Sequence, residues 1–378
     1  MEKQEERNMK ASWQIKKLGE VCDILDNKRK PITKRNRATG EYPYYGATGI
    51  LDYVGDYIFD EKLVLIGEDG AKWESGERTA FIADGKYWVN NHAHVIRPHR
   101  NIILDNWIIF YFYLTDLTKH TTGLTVPKLN QANLRNIQIP LPPLPEQHRI
   151  VKILDEIFVD VAKAKENAEK NLQNAKEFFE SYLQSVFVNP RKDWREGLLG
   201  DVCEVIAGQS PEGRFYNKLG KGLPFYQGKK EFKEKYIGEP TTWTTKTTKE
   251  ALKNDILMSV RAPVGPINFA TQKICIGRGL AIIRPRKNVD KDFIFYAILS
   301  KEKEILGNTG AVFSSINKND IENLIFFIPP LPQQKSIVAK FDALSAETKK
   351  LEEIYKQKLA DLEELKKSVL KKAFKGEL

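Results

Sequence analysis

Apolar and polar positions along this chain fall into two kinds of pattern, and the succession from one to the other occurs twice. Short apolar alternations such as "EKLVLIG" (61–67), "KYWVNNHAHVIR" (86–97) and "KNDILMSVR" (253–261) are mixed with Gly, Pro and Asn breaks, which predicts strands joined by loops. Within these regions "DNWIIFYFYLTDL" (105–117) and "DFIFYAILSKEKEIL" (292–306) predict one helix each. Each strand-rich region, roughly 13–140 and 194–327, is followed by a long segment of helical period.

The long segments carry apolar residues four and three apart. The first shows Ile150, Leu154, Ile157, Val161, Ala164, Ala168, Asn171, Ala175, Phe178 and Tyr182. The second shows Ile337, Phe341, Leu344, Thr348, Leu351, Tyr355, Lys358, Leu362, Leu365 and Val369. Both read as heptad seams, and the Ala-rich middle of the first admits the larger side chains of the second. An antiparallel pair with a globule at each end follows from chain order. The seams leave open whether the helices pair within one chain or between two.

Each long helix is announced by the same punctuation, "PPLPEQHRIV" (142–151) and "PPLPQQKSIV" (329–338). Pro145 and Pro332 fall in a first helical turn, where amide donors lack partners, and Glu146 suits the positive helix end. Other landmarks recur in order. "WQIKKLGEVCDIL" (13–25) answers "WREGLLGDVCEVI" (194–206) at an offset of 181, and "VIRP" (95–98) answers "IIRP" (282–285) at 187. "TTGLTVPKLNQANLRNI" (121–137) answers "NTGAVFSSINKNDIENL" (308–324), also at 187. The chain is a tandem duplication. The fold class is α+β, with two mixed α/β domains (1–141 and 191–328) separated by two helical segments (142–190 and 329–378) that form an antiparallel coiled-coil-like pair.

Bulk properties then narrow the function. Hydrophobic residues make up 41% and charged residues 29% of the 378, the composition of a folded protein. No apolar run is long enough to span a bilayer, and "MEKQEERNMKASW" has no apolar signal region, so a cytoplasmic location is expected. Cys22, Cys203 and Cys275 are too scattered for a disulfide framework and read as small buried residues. The formal net charge of +10 favours a polyanionic partner.

Catalytic motifs are missing. There is no Gly-rich phosphate loop, dinucleotide fingerprint or His-Glu-x-x-His. Leu141 and Ile328 precede the Pro-Pro pairs where an amino-methyltransferase would carry Asn or Asp. His92 and His94 share one face of a strand, but a metal would need more ligands than their neighbourhood offers, and a hydrogen-bonded pair is the simpler reading. No catalytic or metal-binding residue is assigned.

The positive signal is basic. "KRKPITKRNR" (28–37) carries Lys28, Arg29, Lys30, Lys34, Arg35 and Arg37 with no acid, in a loop suited to phosphates or simply to solvation. In the second copy Lys229, Lys230, Lys246 and Lys249 stand among Tyr, Trp and Thr, while Arg261 and Arg278 lie beside turn residues that let a guanidinium project toward guanine edges. Equal frames with unequal contact loops suggest two different half-sites.

The openings "LGEVCDIL" and "LGDVCEVI", the closings through "PPLPEQ" and "PPLPQQ", and the terminal "LEELKKSVLKKAFKGEL" resemble the specificity subunit of type I restriction-modification enzymes over nearly the whole chain. The resemblance implies two target-recognition domains, each reading half of a bipartite DNA sequence, with helices that set the half-site spacing and dock the partners. It implies no catalysis and no cofactor in this chain. Double-stranded DNA, two methyltransferase subunits using S-adenosylmethionine, and two restriction and translocation subunits using ATP and Mg2+ would be its partners. The competing readings are a scaffold binding nucleic acid without sequence preference, and a stand-alone DNA methyltransferase or nuclease with a degenerate site.

Overall fold

The computed structural model describes residues 13–123, 125–305 and 315–378. Leu124, Leu306 at the end of the second short-helix segment, and the part of the repeated landmark over 308–314 lie outside the described residues. The described residues divide into two compact units, those within Met1–Glu169 and Lys356–Leu378, and those within Lys170–Tyr355. The helical segments are therefore not domains of their own: each long helix gives about half its length to either unit.

The duplication is repeated sheet by sheet. In unit 1 a four-stranded antiparallel sheet runs Cys22–Ile24, Ala93–Pro98, Leu63–Gly67, Ala80–Ala83. Its counterpart in unit 2 runs Cys203–Ala207, Leu280–Pro285, Ile256–Ser259, Ile267–Phe269. A second sheet in each unit contains one parallel pairing, Tyr44 with Trp88 and Phe225 with Cys275. A two-stranded ribbon closes each unit, Gln14–Lys17 on Gln138–Leu141 and Arg195–Leu198 on Ile325–Ile328.

The continuous apolar run in "LVLIG" has a physical reason: its strand is buried on both faces. Val64 and Ile66 enter the core built on Trp107 and the helix Asp105–Leu114, whereas Leu63 and Leu65 enter a second core with Phe59, Tyr87 and Val89. In unit 2 Ile256 and Met258 face Phe293 of the helix Lys291–Ser300, and Leu257 faces the opposite core with Ile274 and Ile276. All three cysteines are buried thiols, and burial pushes Cys203 up to about 12.

The first long helix covers Leu144–Val188 and the second Leu331–Lys375. The repeated Pro-rich punctuation places a buried glutamine under each helix start. Gln147 donates from Nε2 to the carbonyls of Ile102 and Pro142, both at 2.8 Å, and accepts the Leu104 amide at 3.0 Å. Gln334 donates to the Pro329 carbonyl at 2.8 Å and accepts the Asp290 amide at 2.7 Å. Each glutamine thus ties a helix end to the loop before the short helix of its unit, and both are essentially fully buried.

The helices pair within the chain. In unit 1 Ile150 and Leu154 share a core with Leu370, Ala373 and Phe374, and Lys165 Nζ lies 2.8 Å from Glu363 Oε1, which gives an antiparallel run. In unit 2 Tyr182 and Phe187 pack on Phe341, with ring centroids 5.9 Å apart in each case. The seam, however, departs from the heptad reading. Phe178, Leu351 and Leu365 are 58%, 42% and 45% exposed, and Asn171 and Lys358 also face solvent. Their places are taken one residue later by Leu172, Phe179, Glu352, Leu359 and Lys366. From Ile150 the inward positions run 154, 157, 161, 164, 168, 172, 175, 179, 182 and 186, the 3.6-residue period of a straight α-helix. A strict 3.5 repeat lags that period by about 20° per heptad, so after two to three heptads the lag is about half a residue and the inward position steps on by one. The remaining seam residues, Ile150, Leu154, Ile157, Val161, Tyr182, Ile337, Phe341, Leu344, Tyr355, Leu362 and Val369, are buried or half-buried.

Candidate nucleic-acid interface

In unit 1 the basic loop is held by the second sheet. The Lys30 carbonyl accepts Trp88 Nε1–H at 2.6 Å, the Lys30 amide donates to the Val89 carbonyl at 3.3 Å, and Tyr44 Oη accepts the Ile32 amide at 2.9 Å. Lys28, Lys30, Lys34 and Arg35 are exposed on this fixed backbone. A positioned loop binds an anion with less ordering cost than a free one.

Arg29 and Arg37 do not belong with them. Arg29 Nη1 lies 2.5 Å from Glu68 Oε2 and 2.8 Å from the Ala93 carbonyl, with Nη2 3.4 Å from Asp26 Oδ2, so its guanidinium is spent inside the unit. Arg37 stacks 4.4 Å over the Tyr44 ring and donates to the Ile32 carbonyl at 3.1 Å and to Asp52 Oδ2 at 3.2 Å. Both brace the loop that displays the other four cations. The run itself is acid-free, and its partners lie outside it: Asp26 just before it, and Asp52 and Glu68 further along the chain.

Arg29 belongs to a larger buried network. His94 has its ring nitrogens on Asp26 Oδ2 at 2.6 Å and the Leu129 carbonyl at 2.7 Å, and Lys128 Nζ lies 2.8 Å from Glu68 Oε1. Asp26, Glu68 and His94 have metal-like spacing, but here Arg29 and Lys128 supply the positive charge. His92, by contrast, is exposed and pairs with Asp69. Burial would raise the Asp26 carboxyl. The hydrogen bond and charge of His94, the Val95 amide and Arg29 outweigh it and hold the group below its ordinary 3.8. A depressed folded value stabilises the fold above the ordinary value and is withdrawn as pH falls through the folded one. Urea unfolding of Asp26→Asn should therefore show a shallower decline in stability below about pH 4 than the wild type does; identical pH profiles would exclude this role.

In unit 2 the candidates lie on segments gathered about the strand Ile274–Ile276 and the turn that follows it. The turn at 277–279 carries Arg278, whose amide donates to Ser210 Oγ at 3.2 Å. The Gly279 amide donates to the Gln227 carbonyl at 3.1 Å, just before the Lys229–Glu231 turn, and the Gly279 carbonyl accepts Val260 N–H at 3.0 Å, next to Arg261. A Cβ on Gly279 would stand 2.3 Å from the Gln227 carbonyl, so this approach requires glycine. Lys249 pairs with Ile276, Thr248 bonds the Gln209 carbonyl, and Lys246 lies 5.2 Å over Phe215. Lys230, Lys246, Lys249, Arg261 and Arg278 are exposed, and Lys229 is half-buried.

The equivalent region of unit 1 bears different chemistry. Asn91 stands where unit 2 has Arg278, and Asp69, bridged to Lys128, stands where unit 2 has Arg261, bridged to Ser315. Sequence reading passed over Asn91 and Asp69 and took the two helix-start glutamines only as part of a repeated motif, although the 187-residue offset between Asn91 and Arg278 was a usable signal.

Comparison with known proteins agrees with this duplicated frame. The family model for the type I restriction modification DNA specificity domain matches residues 10–171 and again 191–361. A putative type I restriction enzyme MjaX specificity subunit from Methanocaldococcus jannaschii is 32% identical, over 97% of this chain and 93% of that protein. A chain from a structural study of assembly and conformational transition in the type I R-M system superposes with a TM-score of 0.81 at 29% identity, over 98% of this chain and 99% of that one. The HsdS subunit from Thermoanaerobacter tengcongensis gives 0.66 at 27% identity, with 98% of each chain covered. Among the described residues no helix is long and apolar enough to cross a membrane.

Proposed function

The chain belongs to the type I restriction-modification DNA specificity family, and from that premise we propose that it selects the DNA target for a multi-subunit methylation and restriction complex. Unit 1 and unit 2 each read one half of a bipartite sequence, and the long helices set the half-site spacing and dock methyltransferase subunits. The observation that carries this reading is the pair of equivalent sheet ends, matched in two backbone hydrogen bonds and different in exposed side chains: phosphate contacts position a protein, whereas differing side chains at one place select bases. The chain contributes no catalytic group. S-adenosylmethionine, ATP and Mg2+ would act in the methyltransferase and the restriction and translocation subunits, two of each, in the cytoplasm.

The test is selection of bound duplexes from a random library by the chain assembled with its methyltransferase. A reader of this class favours its site over random duplex by about 10³-fold or more, and no enrichment would leave only a non-specific scaffold. Replacing Lys28, Lys30, Lys34 and Arg35 by alanine should reduce the log–log salt slope of binding by about 0.9 for each phosphate no longer neutralised. An unchanged slope would remove the basic loop from the interface.

A further inference from the structure

We infer that Asn91 and Arg278 are equivalent base-reading residues, and that they impose different bases on the two half-sites, adenine through the Asn91 carboxamide and guanine through the Arg278 guanidinium. The inference rests on the DNA-reading function proposed above. Two matched backbone bonds fix the equivalence. On one side of the tip, Asn90 N–H donates to the Tyr45 carbonyl at 3.0 Å and Gly277 N–H to the Tyr226 carbonyl at 2.8 Å. On the other, Glu68 N–H donates to the His92 carbonyl at 2.8 Å and Val260 N–H to the Gly279 carbonyl at 3.0 Å. Asn91 and Arg278 are the single residues between these anchors.

Both turns are braced while both tips are open. His92 N–H donates to Asn90 Oδ1 at 2.7 Å, and the His92 ring is held by Asp69. Ser210 and the close approach at Gly279 hold the other turn. Asn91 and Arg278 are exposed, and neither side chain has a hydrogen-bond partner among the described residues. A fixed backbone presenting an unpaired polar tip recognises a partner with little ordering cost. The tips differ in what they ask for. A guanidinium offers only donors, matching the two acceptors O6 and N7 of guanine. A carboxamide offers a donor and an acceptor, matching N7 and the N6 amine of adenine.

The experiment repeats library selection with the assembled complex for wild type, Asn91→Ala, Arg278→Ala and Arg278→Gln. Arg278→Ala should make one guanine position of one half-site degenerate, with discrimination there falling on the order of 10- to 100-fold, and leave the other half-site intact. Asn91→Ala should do the same to one adenine position of the other half-site. Arg278→Gln should turn its position toward adenine. Motifs unchanged in all three variants overturn the inference while leaving the function standing, as does a uniform loss across sequences with a shallower salt slope, which marks a phosphate-binding role. A wild-type complex that selects no bipartite motif overturns the proposed function and the inference with it.

Discussion

Replacing Phe341 by alanine should lower the unfolding free energy by about 3–5 kcal/mol, the cost of emptying a well-packed aromatic site. Phe341 is fully buried, with its ring centroid 4.9 Å from Tyr296 and 5.9 Å from both Tyr182 and Phe187. It therefore joins the second long helix, the end of the first and the short helix of unit 2 at one point. The informative control is Phe178→Ala. A heptad seam gives Phe178 the same rank as the inward residues around it, whereas the straight-helix seam leaves it at the surface, where substitutions are worth about 0.5 kcal/mol or less. Urea denaturation of both variants separates the two seams. Comparable losses at positions 178 and 341 would contradict the 3.6-residue stripe.

The duplication, the strand-rich regions and the helix starts were legible because each has a local signal. "LVLIG" has no polar alternation because both its faces are covered, and Pro145 and Pro332 mark the turns they start. What escaped reading depends on residues far apart in the chain. Arg29 looked like a free cation within a basic run, yet it meets Glu68, 39 residues away, and a carbonyl at Ala93. Gln147 and Gln334 belonged to a recognisable repeated motif, but their task became visible only where the loops at 102–104 and 290 come over them. Phe178, Leu351 and Leu365 were misplaced for a different reason: a 3.5 and a 3.6 period point to the same residues for the first few turns, and once the lag nears half a residue the inward position moves on by one. Length made that error, and the burial pattern corrects it.

The same stripe governs what an insertion does. Seven residues added to each long helix, one set after Glu169 and one after Tyr355 where the compact units divide, turn the helix by about 700°, which is only about 20° short of two full turns. The inward stripe stays in register, and each helix gains roughly 10 Å, about three base pairs at ~3.4 Å per pair. Because either helix hands residues to both units, the selected DNA motif should keep both half-sites and lengthen its spacer by about three base pairs. Five residues give a nearly similar gain, roughly 7.5 Å, but rotate the stripe by about 140° out of the seam, so that pair of insertions should melt the helix pairing rather than lengthen the motif. Circular dichroism melting identifies which insertion folds, and library selection reads the spacer. A folded seven-residue double insertion that still selects the wild-type spacer would show that something other than helix length sets the distance between half-sites.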